Sequence, residues 1–274
     1  MVLSNMKAFE SGDDTAPALA RRERILRMLS ERGFLRVTDA ALELGVSGVT
    51  LRSDLAALES AGSVIRVHGG AMPRSQGVGE QSFELSLEEH AAAKRAIGRR
   101  AAAIVQPGQS VLLDVGTTAL AVAHALVERR DLDDVLIVTN GLTIALALEA
   151  AMPRFTVVVT GGTLRPLQHS LVNPFASPFL ESLRADLAFI GCNGVDPDRG
   201  VTNVNLPEAE VKRRMVLSAE RPILVADASK LGRARLGSVG PLADFDSLVT
   251  AADAPAEIVT RLRNAGLTVL LADD

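Results

Sequence analysis

Small polar residues follow an apolar run near the middle of the chain, where they could bind an anion. The motif DVGTT occupies residues 114–118, and Gly116 in it would let the backbone approach a ligand closely. Thr117 and Thr118 begin a helical pattern, and the N-terminus of a helix presents free N–H groups to an anion. Asp114 stands at the end of the apolar run itself. The sequence therefore indicates an anion site at residues 114–118.

Four further apolar runs end in residues of the same kind. They lead into Thr139, Asn140 and Gly141, into Thr160, Gly161 and Gly162, into GCNG with Asn193, and into DASK with Lys230. Lys230 could supply a cation to a phosphate group. The phosphate loop GxxxxGK[ST] and a complete GxGxxG motif are both missing from the sequence, which argues against nucleoside triphosphates and dinucleotides. A small phosphorylated molecule is therefore the favoured ligand.

Glu208 and Lys212 lie four positions apart in NLPEAEVKRRM, and two interpretations are open. They form an ordinary surface pair on a helix, or Glu208 is the base of an isomerase with Lys212 or Lys230 as its electrostatic partner. The strand ends offer no paired carboxylates that would tune such a base, so no catalytic residue is predicted. The single cysteine, Cys192, has no histidine in a recognisable partner motif. Neither a metal site nor a cofactor is predicted.

Seven apolar runs of strand length carry most of these residues. The runs are SVLLDVG, VLIVTNG, FTVVVTGG, LAFIGCNG, PILVADAS, SLVTAAD and TVLLADD, and one long helical pattern over residues 87–105 precedes them. Val-, Leu- and Ile-rich strands that alternate with helices are typical of a mostly parallel sheet covered on both faces. Ligands of such sheets bind beyond the carboxyl ends of the strands, which is where the polar residues stand.

Positive charge is concentrated in residues 21–74. This segment contains nine arginines and six acidic residues, a net charge of +3, whereas the whole chain has a net charge of -4 and the remainder therefore -7. A basic segment on an acidic body suits a nucleic-acid contact made by that segment alone, although a solvated surface can have the same pattern. Trp and Tyr are absent, so stacking of those rings on bases is not expected.

The same segment has the pattern of a winged helix-turn-helix. RRERILRMLSERG predicts a first amphipathic helix that ends at its final glycine. Thr38 and Asp39 offer an N-cap to a second, short helix that ends at Gly45, and Ser47 caps a third helix. SVIRVHGGAMP then predicts a short β stretch that ends at residues 69–70, as in a wing. Short helices joined by a turn with glycine are the arrangement of a helix-turn-helix.

Helical spacing predicts which side chains of the third helix point away from the core. At about 100° per residue, Leu51, Leu55 and Leu58 fall on one side and must face the other helices. The opposite side presents Ser47, Gly48, Val49, Thr50, Arg52, Ser53 and Ala56. Arginine pairs with guanine O6 and N7, Val or Thr contacts a thymine methyl, and a serine at a helix start suits a phosphate. These residues are predicted to contact DNA; the alternative is the solvated face of a small helical domain.

Length and composition limit the class of protein. A chain of 274 residues is long enough for two domains. We expect a disordered lead over residues 1–19, a DNA-binding domain over 20–74, a linker over 75–87 and an α/β domain over 88–274. One cysteine fits a reducing cytoplasm. The first residues lack the pattern of a signal peptide, and no apolar run approaches the ~20 residues of a membrane span. A cytoplasmic protein without membrane contact is expected.

Two sets of motifs resemble one known family. The run VSGVTLRSDLAALESAGSVIRVHGGA resembles the N-terminal signature of the DeoR family of bacterial transcriptional regulators. DVGTT, TNGL, GGTLR, FIGCNGV, EAEVKRRM and ADASKLG resemble the successive motifs of its effector domain. The resemblance implies an N-terminal winged helix-turn-helix followed by a mostly parallel α/β domain similar in fold to ribose-5-phosphate isomerase. It implies a ligand-facing set of Asp114, Gly116, Thr117, Thr118, Asn140, Gly161, Gly162, Asn193, Glu208 and Lys230.

The resemblance also implies a function. It indicates a repressor of a carbohydrate-metabolism operon that binds double-stranded operator DNA, acts as a homodimer or homotetramer, and is released by a phosphorylated sugar or related metabolite. Arg66 and His68 fall in the family's wing motif, where His68 contacts DNA or stabilises the turn. Ser53 stands where the family has a second arginine, so an altered half-site is expected. A sugar-phosphate isomerase with an appended DNA-binding module is the alternative.

Overall fold

The protein has two compact units, which the computed structural model divides between residues 79 and 80. The structure describes residues 15–32, 34–60, 63–67, 69–73 and 80–273. The first unit has its own apolar core, which includes Ile25, Leu51 and Val64. The second unit has two apolar clusters. No helix in the described part of the chain is long and apolar enough to cross a membrane.

Among its described residues, the first unit has a small three-stranded sheet and three helices. Its elements are α1 (Thr15–Arg32), β1 (Leu35–Arg36), α2 (Val37–Leu44), α3 (Gly48–Ser60), β2 (Val64–Val67) and β3 (Gly70–Pro73). The strands are antiparallel in the order β1-β3-β2. Gly45 ends α2 with a left-handed φ of 67°, and the Ser47 hydroxyl accepts from the Thr50 amide at 3.0 Å to start α3. The predicted winged helix-turn-helix is confirmed.

Three local predictions in this unit differ from the structure. Helix α2 begins at Val37, ahead of the predicted cap, and the Thr38 hydroxyl donates to the Asp39 carboxylate at 2.9 Å instead of capping the helix. The wing is a hairpin, because β3 starts at Gly70 where the predicted stretch ended. A Cβ at Gly70 would lie 2.3 Å from a backbone oxygen of β1, so only glycine allows this strand to pair. Helix α1 already begins inside the predicted lead over residues 1–19, and the predicted end of this helix at Gly33 lies outside the described residues.

The second unit contains seven helices and twelve strands among its described residues. The helices are α4 (Phe83–Glu88), α5 (Ala91–Ala102), α6 (Thr117–Glu128), α7 (Leu142–Leu148), α8 (Ala176–Glu181), α9 (Leu206–Leu217) and α10 (Ala256–Asn264). The strands are β4 (Ser110–Leu113), β5 (Val135–Thr139), β6 (Phe155–Val159), β7 (Thr163–Arg165), β8 (Ser170–Val172), β9 (Ala185–Ile190), β10 (Gly194–Asp196), β11 (Gly200–Asn203), β12 (Ala219–Val225), β13 (Gly237–Gly240), β14 (Ser247–Ala251) and β15 (Thr268–Ala272).

A seven-stranded parallel sheet is the centre of this unit. Its order is β15-β14-β12-β9-β4-β5-β6, and each of the seven predicted apolar runs forms one of its strands. Side chains alternate between the two faces, so Val111 and Leu113 join one core cluster while Leu112 joins the other. Helices α5, α6 and α7 contribute to the first cluster, and α8, α9 and α10 to the second. The predicted fold class is confirmed.

The beginning of the second unit differs from the prediction. The single helix expected over residues 87–105 is divided into α4 and α5 by His90, which has a left-handed φ of 53°. Residues 75–87 were expected to form a linker, but α4 begins at Phe83 and the Phe83 ring is buried in the core. One aromatic residue within a polar stretch gives no helical period, which is why the sequence did not reveal this element.

Candidate functional site

Helix α3 presents the face that its spacing predicted. Leu51 and Leu55 are each 1% exposed and pack into the core of the first unit, whereas Val49 is 73% exposed. Arg52 and Ser53 are also exposed. Ser47, which caps the start of this helix, is exposed as well. The direction of the face is confirmed, while its contact with DNA stays a prediction.

A buried carboxylate that sequence reasoning missed fixes α3 against α1. Asp54 is 2% exposed and accepts hydrogen bonds from the Nε atoms of Arg21, at 2.5 Å, and of Arg22, at 3.0 Å. In the sequence, Arg21 and Arg22 are two of the nine arginines of the basic segment. Their guanidinium groups compensate the buried charge of Asp54 and thereby link α1 to α3.

The wing carries one described member of the predicted DNA-binding set. Arg66 on β2 is exposed, and its guanidinium Nη1 lies 3.7 Å from a carboxylate oxygen of Glu59. The same carboxylate accepts from the Arg66 amide at 3.0 Å, so it holds β2 against the end of α3. His68 lies outside the described residues, and its role stays a prediction.

In the second unit, Asp114 directly follows strand β4, at its carboxyl end, and is fully buried. Its Oδ2 atom accepts from the Gly191 amide at 2.9 Å and from the ammonium group of Lys212. Its Oδ1 atom has no hydrogen-bond partner among the described residues. Burial alone would lower the pKa of Lys212, but the negative charges of Asp114 and Glu208 raise it above its usual value. Lys212 is therefore a cation that neutralises Asp114.

Asn140, at the end of the neighbouring strand β5, is likewise buried with one side-chain oxygen atom that has no hydrogen-bond partner among the described residues. The residue is fully buried, and its Nδ2 atom donates to the Leu171 carbonyl at 3.3 Å. Its Oδ1 atom has no partner within the described part of the chain. Helix α6 begins beside these strands at Thr117, directly after Gly116, whose φ of 124° favours glycine. Two unsatisfied buried oxygen atoms and a helix N-terminus therefore lie at adjacent strand ends.

Glu208 and Lys212 are not the surface pair that their spacing suggested. They are each 3% exposed, and each binds a different partner. Arg165 and Ser170 of the β7 and β8 strands both donate to Oε1 of Glu208, Ser170 at 2.5 Å. A carboxylate oxygen held by an arginine and a hydroxyl is not placed to abstract a proton from a substrate, which argues against Glu208 as a base.

Two of the remaining predicted residues have structural roles. Asn193 Oδ1 accepts from the Val204 amide at 2.9 Å and so closes the loop before α9. A Cβ at Gly162 would lie 2.0 Å from the carbonyl oxygen of Val172, so glycine is needed there for chain packing. These contacts explain the residue types without a ligand. The contribution of either residue to binding stays a prediction.

Cys192 follows β9 and Lys230 follows β12, the two strands next to β4 on the side away from β5. Asp227 is buried there, and although burial alone would raise its pKa, the hydrogen bond from Ser229 and the charges of Lys230 and Lys94 lower it below the usual value. Lys230 is therefore placed as a cation beside the strand ends. Burial raises the pKa of the Cys192 thiol to about 12. The thiol is protonated at neutral pH and is not an activated nucleophile.

A cleft of about 380 Å³ is lined by residues of α4, α5 and α6. Its lining includes Lys94, Arg95, Arg99 and His124, and Thr117 is the one member of the predicted ligand-facing set that it reaches. Lys94 is 5% exposed and donates to the Glu89 carbonyl at 2.7 Å, so it closes the end of α4. We call Asp114, Asn140 and the start of α6 the strand-end site. The cleft shares Thr117 with this site but contains neither Asp114 nor Asn140. No group of three or more metal-binding side chains occurs among the described residues.

Comparison with known proteins decides the family. The model of the DeoR-like helix-turn-helix domain matches residues 21–76, and that of the DeoR C terminal sensor domain matches residues 89–252. The chain belongs to the DeoR family. It is accordingly a DNA-binding transcription regulator with an N-terminal helix-turn-helix unit and a C-terminal sensor unit.

Relatives of this DeoR-family chain extend over nearly its whole length. It is 36% identical to the HTH-type transcriptional regulator GlpR of Haloferax volcanii over 250 residues, which are 91% of this chain and 96% of the relative. It is 28% identical to the glycerol-3-phosphate regulon repressor of Escherichia coli K12, over 87% of this chain and 93% of the relative. Among solved structures, ribose 5-phosphate isomerase A of Methanocaldococcus jannaschii matches with a TM-score of 0.39 and 15% identity, over 52% of this chain and 55% of the isomerase.

Proposed function

We propose that this DeoR-family regulator is a cytoplasmic repressor whose strand-end site binds a phosphorylated sugar or related metabolite. The observation that carries the proposal is the pair of buried, unpartnered oxygen atoms, Asp114 Oδ1 and Asn140 Oδ1. A buried acceptor without a donor is unfavourable by about 1–3 kcal/mol. Hydroxyl groups of a sugar are donors that satisfy both atoms.

The phosphate group of the ligand has its own partners at the same edge of the sheet. Thr117 and Thr118 open α6, a helix of 12 residues whose N-terminal N–H groups favour an anion. Lys230 adds a cation near the end of β12. Lys212 is already neutralised by Asp114, so it orients the acceptor and does not bind the phosphate. Glu208 likewise acts indirectly, because it accepts hydrogen bonds from Arg165 and Ser170 and so holds β7 and β8 in place.

The DNA-binding step rests on helix α3. Arg52 and Val49 on its exposed face read base edges in the major groove, and Ser47 with the helix N-terminus contacts a phosphate. Ser53 adds a hydroxyl without a charge. Two such helices are needed for a pseudo-palindromic operator, so the active species is a homodimer or homotetramer. One relative is named for the regulon of a phosphorylated small molecule, glycerol 3-phosphate, which supports a carbohydrate-related operon here.

A ligand changes DNA binding only if it binds the DNA-competent and DNA-incompetent states with unequal affinity. The test is a gel shift with the DNA upstream of the protein's own gene, repeated with ribose 5-phosphate, fructose 6-phosphate and glycerol 3-phosphate. A thermal-shift screen with the same compounds measures their binding independently. We expect at least one compound to raise the melting temperature and to weaken the DNA complex. Compounds that stabilise the protein but leave DNA affinity unchanged would refute ligand control.

A further inference from the structure

The β7 and β8 strands and their turn, residues 163–172, form a hairpin between the strand-end site and the start of the second unit. We call this segment the bridging hairpin. It is a separate two-stranded sheet outside the central one. Its strands are three residues each. A separate hairpin that contacts two regions of the unit can respond to a change at either of them.

On the site side, the bridging hairpin is bonded to two residues of the proposed site. The Leu171 amide donates to the Asn140 carbonyl at 2.7 Å, and the Asn140 side chain donates back to the Leu171 carbonyl at 3.3 Å. Ser170 is fully buried, and its hydroxyl donates to Glu208. A ligand that donates to Asn140 Oδ1 therefore acts on a side chain whose other end holds the hairpin.

On its other side, the bridging hairpin holds residues 80–84. The guanidinium of Arg165 lies 2.5 Å from the Glu80 carboxylate, and Arg165 also donates to Glu208. The Phe83 amide donates to the Leu167 carbonyl at 2.9 Å. Residues 80–84 are the first described residues after the DNA-binding unit, and the chain that joins the two units ends there.

Further contacts attach the same segment to the hairpin turn. The Gln168 side chain donates to the Gln81 carbonyl at 2.5 Å. The His169 ring lies 5.1 Å from the ring of Phe83, and its Nε2 atom lies 3.1 Å from the Glu84 carboxylate. Four positions of the hairpin, Arg165 and residues 167–169, thus bind the segment that leads to the DNA-binding unit.

We propose that the bridging hairpin transmits occupancy of the strand-end site to residues 80–84 and thereby to the DNA-binding unit. This inference rests on the proposed function, because it assigns the regulation of that same site. Arg165 is the shared element, since one guanidinium with 17% of its side chain exposed serves both Glu80 and Glu208. A shift of the hairpin at Asn140 and Glu208 therefore alters the geometry of the Arg165–Glu80 pair.

The test removes the far end of this connection and leaves the site intact. In Glu80→Ala, Arg165 keeps Glu208 as a partner, so no buried charge is left unpaired. Glu88→Ala is the matched control, because Glu88 is an exposed carboxylate at the end of α4, just beyond residues 80–84. Glu80→Gln keeps an acceptor for Arg165 and guards against a loss of folding in the alanine variant.

We expect ribose 5-phosphate, fructose 6-phosphate or glycerol 3-phosphate to bind Glu80→Ala as it binds the wild type, within twofold. The change in operator affinity that the compound causes should shrink from the roughly 5- to 150-fold typical of allosteric coupling to less than twofold. Glu88→Ala should respond like the wild type, and Glu80→Gln should fall between. Wild-type response in Glu80→Ala, with binding intact, would overturn the inference.

An arm without ligand separates this inference from the proposed function. If the hairpin acts on the DNA-binding unit, Glu80→Ala should bind the operator at least fivefold more weakly or more tightly than Glu88→Ala before any compound is added. If none of the compounds binds the wild type, the proposed ligand class is wrong. The operator affinities measured without a compound then test by themselves whether the bridging hairpin acts on the DNA-binding unit. Equal operator affinity in Glu80→Ala, Glu88→Ala and the wild type would overturn the inference.

Discussion

Replacing Lys212 by methionine removes the cation that faces the buried carboxylate of Asp114. The two side chains are at most 4% exposed, so water solvates neither charge. In Lys212→Met, Asp114 keeps the hydrogen bond from the Gly191 amide but loses its cationic partner. Breaking one partner of a buried ion pair destabilises a protein by about 3–5 kcal/mol, because an uncompensated charge stays buried. For a unit of 195 residues this lowers the melting temperature by on the order of 10 °C.

Acidification should restore part of this stability. Burial raises the pKa of Asp114 even with Lys212 present, so the lone carboxyl of the variant binds a proton more readily in the folded chain than in the unfolded chain. A group with a raised folded-state pKa contributes stability below its unfolded-state pKa, and this stability is lost as the pH rises through the folded-state pKa. Relative to the wild type, Lys212→Met should therefore be more stable at about pH 5 than at about pH 8.

Calorimetric scans of the full chain at several pH values measure both effects. The double variant Asp114→Asn, Lys212→Met is the control, because it removes both charges and leaves a neutral amide; it should recover most of the lost stability. The reasoning is refuted if Lys212→Met unfolds within about 1 kcal/mol of the wild type at neutral pH. It is also refuted if the double variant is no more stable than the single one.

Three further variants test the other parts of the account. Arg52→Ala should weaken operator binding by about 1–3 kcal/mol and relax specificity at one base pair, and an equal loss on all DNA sequences in a gel shift would mark Arg52 as a phosphate contact instead. Asp54→Ala should destabilise the first unit by about 1–3 kcal/mol in urea unfolding, because a buried acceptor of two arginines is lost; an unchanged midpoint would contradict this. Asn140→Ala should weaken sugar-phosphate binding roughly 5- to 150-fold in calorimetric titration, and unchanged affinity would exclude Asn140 from the site.

The central sheet was predictable because its inner strands are largely buried on both faces. Each strand contains a short apolar run rich in Val, Leu or Ile, and the polar residues at the run ends mark the carboxyl edge. The bridging hairpin was not predictable, since GGTLRPLQHSLV is short and polar and shows neither strand nor helix period. The sequence therefore does not reveal that Arg165 and Ser170 bind Glu208, although GGTLR resembles a motif of the family.

Spacing alone could not separate a buried ion network from a surface pair. Glu208 and Lys212 have the i, i+4 spacing of an exposed salt bridge, but α9 packs this face against β4 and the bridging hairpin, where Asp114 and Arg165 are their partners. The same limit applied to Asp54 on α3, which stands among apolar positions and is buried by two arginines from α1. Such pairs depend on contacts between elements, which the sequence of one element does not contain.

The central claim is that occupancy of the strand-end site changes operator affinity. Its most direct test is a pair of titrations on one protein preparation: labelled operator DNA with and without saturating sugar phosphate, and sugar phosphate with and without saturating operator. Linkage requires the two affinities to change by the same factor, which we expect to be fivefold or more for at least one of ribose 5-phosphate, fructose 6-phosphate and glycerol 3-phosphate. A sugar phosphate that binds while operator affinity stays within twofold in both titrations would contradict the account.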